Sequence, residues 1–142
     1  MNNPRILAID YGLSRTGIAI SSAVANMALP LKTIHAKGDK IWNELDLIFR
    51  QYQPVGVIVG LPLLLNGKES AQTKLTLKFI EKFGKRYPQC WLETFDERLT
   101  SKQAEKLLQE RGLNRKERAG ASDETSAWIM LSCYLEKGEA KP

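Results

Sequence analysis

The stretch from Ile6 to Ile20, I-L-A-I-D-Y-G-L-S-R-T-G-I-A-I, constrains this chain more than any other. Two runs of branched apolar residues flank a short polar link that Gly12 and Gly17 bracket. That is the pattern of a β-hairpin. Asp10 closes the first run. Side chains alternate faces along a strand. Asp10 therefore either sits at the rim of a buried strand with its carboxylate aimed at a cleft, or shapes the turn, a common role for aspartate.

The rest of the chain alternates strands and helices. Strands are predicted over about 5–10, 16–22 and 29–35, with Pro30 near the start of the third, where an edge strand tolerates proline. Asp39 is expected to cap a helix running to about Gln53, with Ile41, Trp42, Leu45, Ile48, Phe49 and Tyr52 in one apolar stripe. The wholly apolar run 55–59 reads as a strand covered on both faces. Asn66-Gly67 marks a turn, and a helix over 69–86 follows with Leu75, Phe79, Ile80 and Phe83 inward. Lys74, Lys78 and Lys82 share its outer face, either as a solvated surface or as a stripe contacting phosphates. A strand over 89–95 leads into Asp96-Glu97-Arg98. Thr100 and Gln103 suit a capping box for a helix ending near Gly112. Residues 113–121 read as a basic, mobile loop, and Asp123 opens a last helix with Ala127, Met130, Leu131, Tyr134 and Leu135 inward. This order predicts an α/β domain over 1–137, a mixed sheet with helices on both faces, and a frayed tail at 138–142.

Composition limits the functional classes. A chain of 142 residues suits one domain with a sizeable core. No apolar run approaches the ~20 residues needed to cross a bilayer, and no secretory signal is visible before the first strand. Cys90 and Cys133 lack partners at zinc spacing and read as buried thiols. A cytoplasmic location is expected. The net charge of +5 suits a polyanionic partner. His35, the single histidine, is given no role.

The acids form a pattern. Asp10 ends the first strand, Asp96 and Glu97 end the last, and Asp123 lies in the first turn of the final helix. In open α/β sheets, sites form outside the carboxyl ends of strands. Carboxylates gathered there repel unless a positive charge compensates. Mg²⁺ takes such oxygen ligands together with water and phosphate. Two such ions roughly 3.5–4 Å apart activate a water and stabilise the leaving oxygen in phosphodiester hydrolysis. Asp96 and Glu97 are neighbours, so only one is expected to share a pocket with Asp10. The plainer reading has Asp123 favouring its helix dipole and one of the pair bridging to Arg98.

Four segments together resemble the YqgF/RuvX family, described as Holliday-junction resolvases and as nucleases of a ribosomal RNA precursor. They are D-Y-G-L-S-R-T-G from Asp10, V-G-L-P-L with the Asn66-Gly67 turn, D-E-R-L-T-S at 96–101, and S-D-E-T-S-A-W-I-M-L from Ser122. The resemblance covers nearly the whole chain. It implies a ribonuclease H-like fold, a five-stranded mixed sheet whose first three strands are antiparallel. It implies a nuclease dependent on Mg²⁺ or Mn²⁺, with Asp10, Glu97 and Asp123 as catalytic and metal-binding residues. It also implies a role at the 5′ end of small-subunit ribosomal RNA, with branched DNA as the older proposal. Asn66 departs from the Asp found in many relatives, which bears on local metal or phosphate contacts. Arg15, Lys68, Arg98, Arg115, Lys116 and Arg118 are candidate contacts to the nucleic-acid backbone. The expected state is monomer or homodimer. Two rivals differ in class: a phosphotransferase or ATPase, whose two-domain cleft this chain has little room for, and a nucleic-acid binding module without hydrolysis.

Overall fold

The computed structural model describes residues 3–100, 106, 109–110 and 123–137; of Thr100, Asp123 and Glu124 it describes the backbone alone. Five strands form one sheet: β1 (Ile6–Asp10), β2 (Thr16–Ser21), β3 (Ala28–Ile34), β4 (Gly56–Leu61) and β5 (Trp91–Asp96). Their order is β3-β2-β1-β4-β5. β1 pairs antiparallel with β2 and β2 with β3, whereas β1–β4 and β4–β5 are parallel. This is the five-stranded mixed sheet, its first three strands antiparallel, that the family resemblance implied. The longer helices among the described residues are α1 (Ile41–Tyr52), α2 (Ala71–Arg86) and α3 (Asp123–Glu136).

The hairpin forms because its link closes on itself. A Cβ at Gly12 would lie 2.3 Å from the Arg15 carbonyl oxygen, so a larger residue would block the turn. The Thr16 hydroxyl donates to the Gly12 carbonyl at 3.3 Å.

Alternation along the strands then builds two cores. Leu7, Ile9, Ile18, Ile20, Val57 and Val59 bury against the α1–α2 side, where Trp42, Leu45, Phe79 and Phe83 meet them. Ile6, Ala8, Ala19, Ile58 and Phe95 face α3, through Ala127, Leu131 and Tyr134. The indole N–H of Trp128 donates to the Ala28 carbonyl at 2.9 Å, fixing α3 across the sheet. With both faces covered, β4 and the first four residues of β1 carry no polar side chain, as expected for central strands.

Several boundaries differ from expectation. β4 continues to Leu61 and β5 runs from Trp91 through Asp96, because these two strands pair in register out to Leu61 and Asp96. Asp39 does not cap α1; it lies inside a 3₁₀ turn, Gly38–Lys40, that makes the first bend. Gly38, at φ +58°, turns the chain before Asp39 can reach a capping position. α2 begins at Ala71 because Ser70 and Thr73 cap it reciprocally: the Ser70 hydroxyl accepts from the Thr73 N–H and the Thr73 hydroxyl from the Ser70 N–H. Thr73 and Thr76 are buried beside Phe79 and Phe83, while Leu75 is half-buried. Cys133 is buried and Cys90 half-buried, both free. The expected helix over 100–111 lies mostly outside the described residues, of which 106 and 109–110 are helical. The loop 113–121 and the tail 138–142 lie wholly outside them. Among the described residues, no helix is long and apolar enough to cross a membrane.

Phe83 is fully buried and its ring contacts those of Trp42, Phe49, Phe79 and Tyr87. Phe83→Ala is expected to cost about 3–5 kcal/mol in urea denaturation; a loss below about 1 kcal/mol would contradict a packed α1–α2 face.

Candidate active site

The parallel strands β1, β4 and β5 end at one edge of the sheet, and there the acids meet. Asp10, the last residue of β1, lies opposite Gly17 of β2. On its other side Ile9 pairs with Val59, which sets Gly60 beside Asp10. Gly60 in turn pairs with Phe95 of β5. Alternation decides which side each acid takes. Ile6 and Ala8 face α3, and Asp10 continues that series. Trp91 and Phe95 also pack toward α3, so Glu97 is next in their series and Asp96 is out of step.

The side chains follow this logic. Glu97 opens a 3₁₀ turn, Glu97–Thr100, and its side chain passes over Gly60 to hydrogen-bond Asp10. Burial first, then the neighbouring Asp10 charge and that hydrogen bond, push the Glu97 carboxyl up to about 7. A shared proton holds two carboxyl groups in contact. Asp96 turns away to Arg98. The guanidinium donates from Nε to both carboxylate oxygens at 3.0 Å and from Nη2 to Oδ2 at 2.6 Å. That pairing holds Asp96 below the usual carboxylate range.

Other expected site residues are placed as follows. Asp123 is the first residue of α3, which packs on β1, β2 and β3 and against the 3₁₀ turn that Glu97 begins. The Asp123 side chain lies outside the described residues. Among the described side chains, no three His, Cys, Asp or Glu groups converge. Arg15 is exposed on the hairpin link and Lys68 on the loop after β4. Arg98, besides Asp96, donates from Nη1 to the Leu65 carbonyl at 3.2 Å and so ties that loop to the end of β5. Asn66 accepts from the Lys68 N–H at 2.9 Å, a turn-shaping bond that Asp would also make. Arg115, Lys116 and Arg118 lie outside the described residues. Lys74, Lys78 and Lys82 are exposed on α2, and Lys82 lies 3.8 Å from Asp39. Sequence reasoning missed Gly60, which entered only as part of the V-G-L-P-L segment. Its position at the tip of an apolar run between two acid-tipped strands was the available signal.

The donor set of the acid pair is all oxygen, which fits a hard divalent cation better than zinc or copper. Two carboxyl groups drawn into contact are also an arrangement that such a cation stabilises.

Comparison with known proteins gives a consistent result. A family profile described as "RuvX: Holliday junction resolvase" matches residues 4–137. A protein of Flavobacterium psychrophilum named "Putative pre-16S rRNA nuclease" is 40% identical over 136 residues, covering 94% of this chain and 98% of that protein. A protein of the same name from Rickettsia canadensis is 35% identical over 135 residues, covering 94% and 87%. Among solved structures, T. thermophilus RuvC in complex with a Holliday junction substrate superposes with a TM-score of 0.66 at 21% identity, over 99% of each chain. A second Thermus thermophilus RuvC structure gives 0.63 at 16% identity over 97% and 99%. These two likenesses establish the fold.

The acid pair makes stability depend on pH. Free glutamate ionises near pH 4.5, whereas folded Glu97 holds its proton to about 7. The folded state therefore binds more protons between these values, and stability falls as pH rises through that window. Without divalent ions, the protein is expected to melt at a lower temperature at pH 8 than at pH 5.5, and Glu97→Gln to flatten that slope. A slope that Glu97→Gln leaves unchanged would contradict a proton held between Glu97 and Asp10.

Proposed function

Because this chain belongs to the RuvX family, we propose that it is a divalent-metal-dependent endonuclease that cleaves structured RNA, acting at the 5′ end of pre-16S rRNA. The observation that carries this reading is the meeting of Asp10 and Glu97 over Gly60 at the carboxyl edge of the parallel strands. The names of the curated relatives support RNA as the substrate. The family description favours a second reading, branched DNA. Both substrates present the same phosphodiester.

Asp10 and Glu97, joined by Asp123 from α3, would hold Mg²⁺ or Mn²⁺. When bound, such an ion supplies the positive charge that sharpens a water for attack and steadies the leaving oxygen. The chain's own part is positional. Asp10 and Glu97 present oxygen donors at the end of a rigid sheet, already half removed from water. Arg15 and Lys68 project from the loops after β1 and β4 at the same edge, where a phosphate backbone would pass. Arg98 contributes through the loop it ties down and through its own exposed guanidinium. Arg115, Lys116 and Arg118 extend the basic surface in this reading. The setting is cytoplasmic. Trimming RNA needs one active site and a monomer suffices; symmetric cutting of a four-way junction needs two, hence a homodimer.

The test is cleavage of structured RNA and of branched DNA with Mg²⁺ or Mn²⁺. Asp10→Asn and Glu97→Gln are each expected to lower cleavage on the order of 10³-fold while RNA binding persists. Asp96→Asn, which loses the Arg98 ion pair and a charge near Glu97 but leaves the Asp10–Glu97 contact, should cost less than about tenfold. Equal cleavage by all four proteins would contradict the site. Binding by wild type without any cleavage would favour a non-hydrolytic binding module. A further expectation concerns salt: log affinity for RNA should fall with log salt by about 0.7 for each phosphate contacted, and charge-neutralising Arg15 or Lys68 should make that slope shallower. A flat salt response would contradict backbone contacts as the main source of affinity.

A further inference from the structure

β4 carries a glycine at each end, and the two serve different side chains. A Cβ on Gly56 would fall 1.9 Å from the Trp91 ring, its cross-strand neighbour on β5. That glycine seats an aromatic ring. At the other end, a Cβ on Gly60 would lie 2.9 Å from Glu97 Oε1 and 3.1 Å from both Cδ and Cγ. Those three nearest atoms all belong to Glu97.

Backbone conformation does not explain the glycine. Gly60 is not among the positive-φ glycines of the described residues, which are Gly38 and Gly67. It lies within a buried, paired strand, where glycine weakens the strand relative to alanine. A residue that weakens its strand and needs no special backbone is explained by what approaches it. What approaches is a carboxylate arm lying flat across the backbone. Because Cγ, Cδ and Oε1 all press on the same point, rotating the carboxyl group alone would not clear a methyl. The arm would have to give by a few tenths of an ångström along its length, and its fit against Asp10 would loosen.

We propose that Gly60 is a positioning residue for the acid pair: the space of its missing Cβ is the path by which Glu97 reaches Asp10. The proposal rests on the reading of Asp10 and Glu97 as the metal-binding acids. Gly60 itself touches neither metal nor substrate and acts only through Glu97. A shift of about 1 Å in a reacting group costs on the order of 10²-fold in rate, so even a displacement of tenths of an ångström in a hydrogen-bonded acid pair bears on its geometry.

The experiment is a double-mutant cycle of Gly60→Ala with Glu97→Ala, read by melting temperature without divalent ions and by Mn²⁺ titration in a calorimeter. With Glu97 truncated, Gly60→Ala removes only the glycine's weakness and should raise the melting temperature by about 2–4 °C. In the wild-type background the same change should give no rise, or a fall. The Mn²⁺ affinity of Gly60→Ala should drop about 10–100-fold, while the protein remains folded. Equal melting shifts in the two backgrounds, in either direction, would overturn the proposal. So would a coupled melting shift with wild-type Mn²⁺ affinity. The melting cycle reads the Gly60–Glu97 contact without any metal. If wild type itself failed to bind Mn²⁺, the metal-binding reading would fail, and the cycle would still decide whether Gly60 places Glu97.

Discussion

Two carboxyl groups in contact, partly withdrawn from water, are the constraint around which this protein is arranged. Left alone they repel, and burial raises the cost of ionising either one. Here a hydrogen bond between Asp10 and Glu97, with the Glu97 carboxyl pushed up to about 7, reconciles them. The arrangement is uphill for stability near neutral pH, so the fold must hold the pair together by other means. It does so with the two cores on either side of the sheet and with pairing that runs to the last residues of β4 and β5.

The topology explains why these acids meet. Parallel neighbours end at the same edge, so β1, β4 and β5 deliver their final residues to one place. The antiparallel hairpin adds a tight link beside that edge, closed around Gly12. Alternation then sorts the acids. Asp10 and Glu97 fall on the side covered by α3, whose first residue is Asp123. Asp96 falls out of that series and is paired with Arg98, whose Nη1 also donates to the loop after β4. Adjacent acids with opposite partners thus leave one carboxyl group paired with a cation and its neighbour paired with another acid.

Much of this was legible in the sequence. The hairpin, the apolar β4 and the inward stripe of α1 follow from side-chain period and branching, whereas α3 is buried beyond the expected stripe, at Trp128, Ile129 and Cys133 as well. The placement of Asp10 at a strand tip followed from the same alternation. The choice between Asp96 and Glu97 was less accessible. β5 reads W-L-E-T-F-D, with adjacent apolar residues at its start, so its sequence alone does not say which face Phe95 takes. Only the packing of Trp91 and Phe95 on the α3 side fixes the series that Glu97 continues. The cap of α2 escaped notice because Thr73 occupies the place where glutamate or glutamine is usual. Gly60 was less accessible for a different reason: its close contact comes from a side chain that another strand brings in, and only its place at the tip of an apolar run between two acid-tipped strands points to it.

The central claim is that folding gathers the oxygens of Asp10 and Glu97 into one cation site. The most direct measurement is the anomalous scattering of Mn²⁺ in crystals of the wild-type protein. The account predicts a peak at the carboxyl edge of β1, β4 and β5, about 2.0–2.3 Å from an oxygen of each of these two residues. Ordered Mn²⁺ bound elsewhere, with Asp10 and Glu97 still hydrogen-bonded to each other, would contradict it.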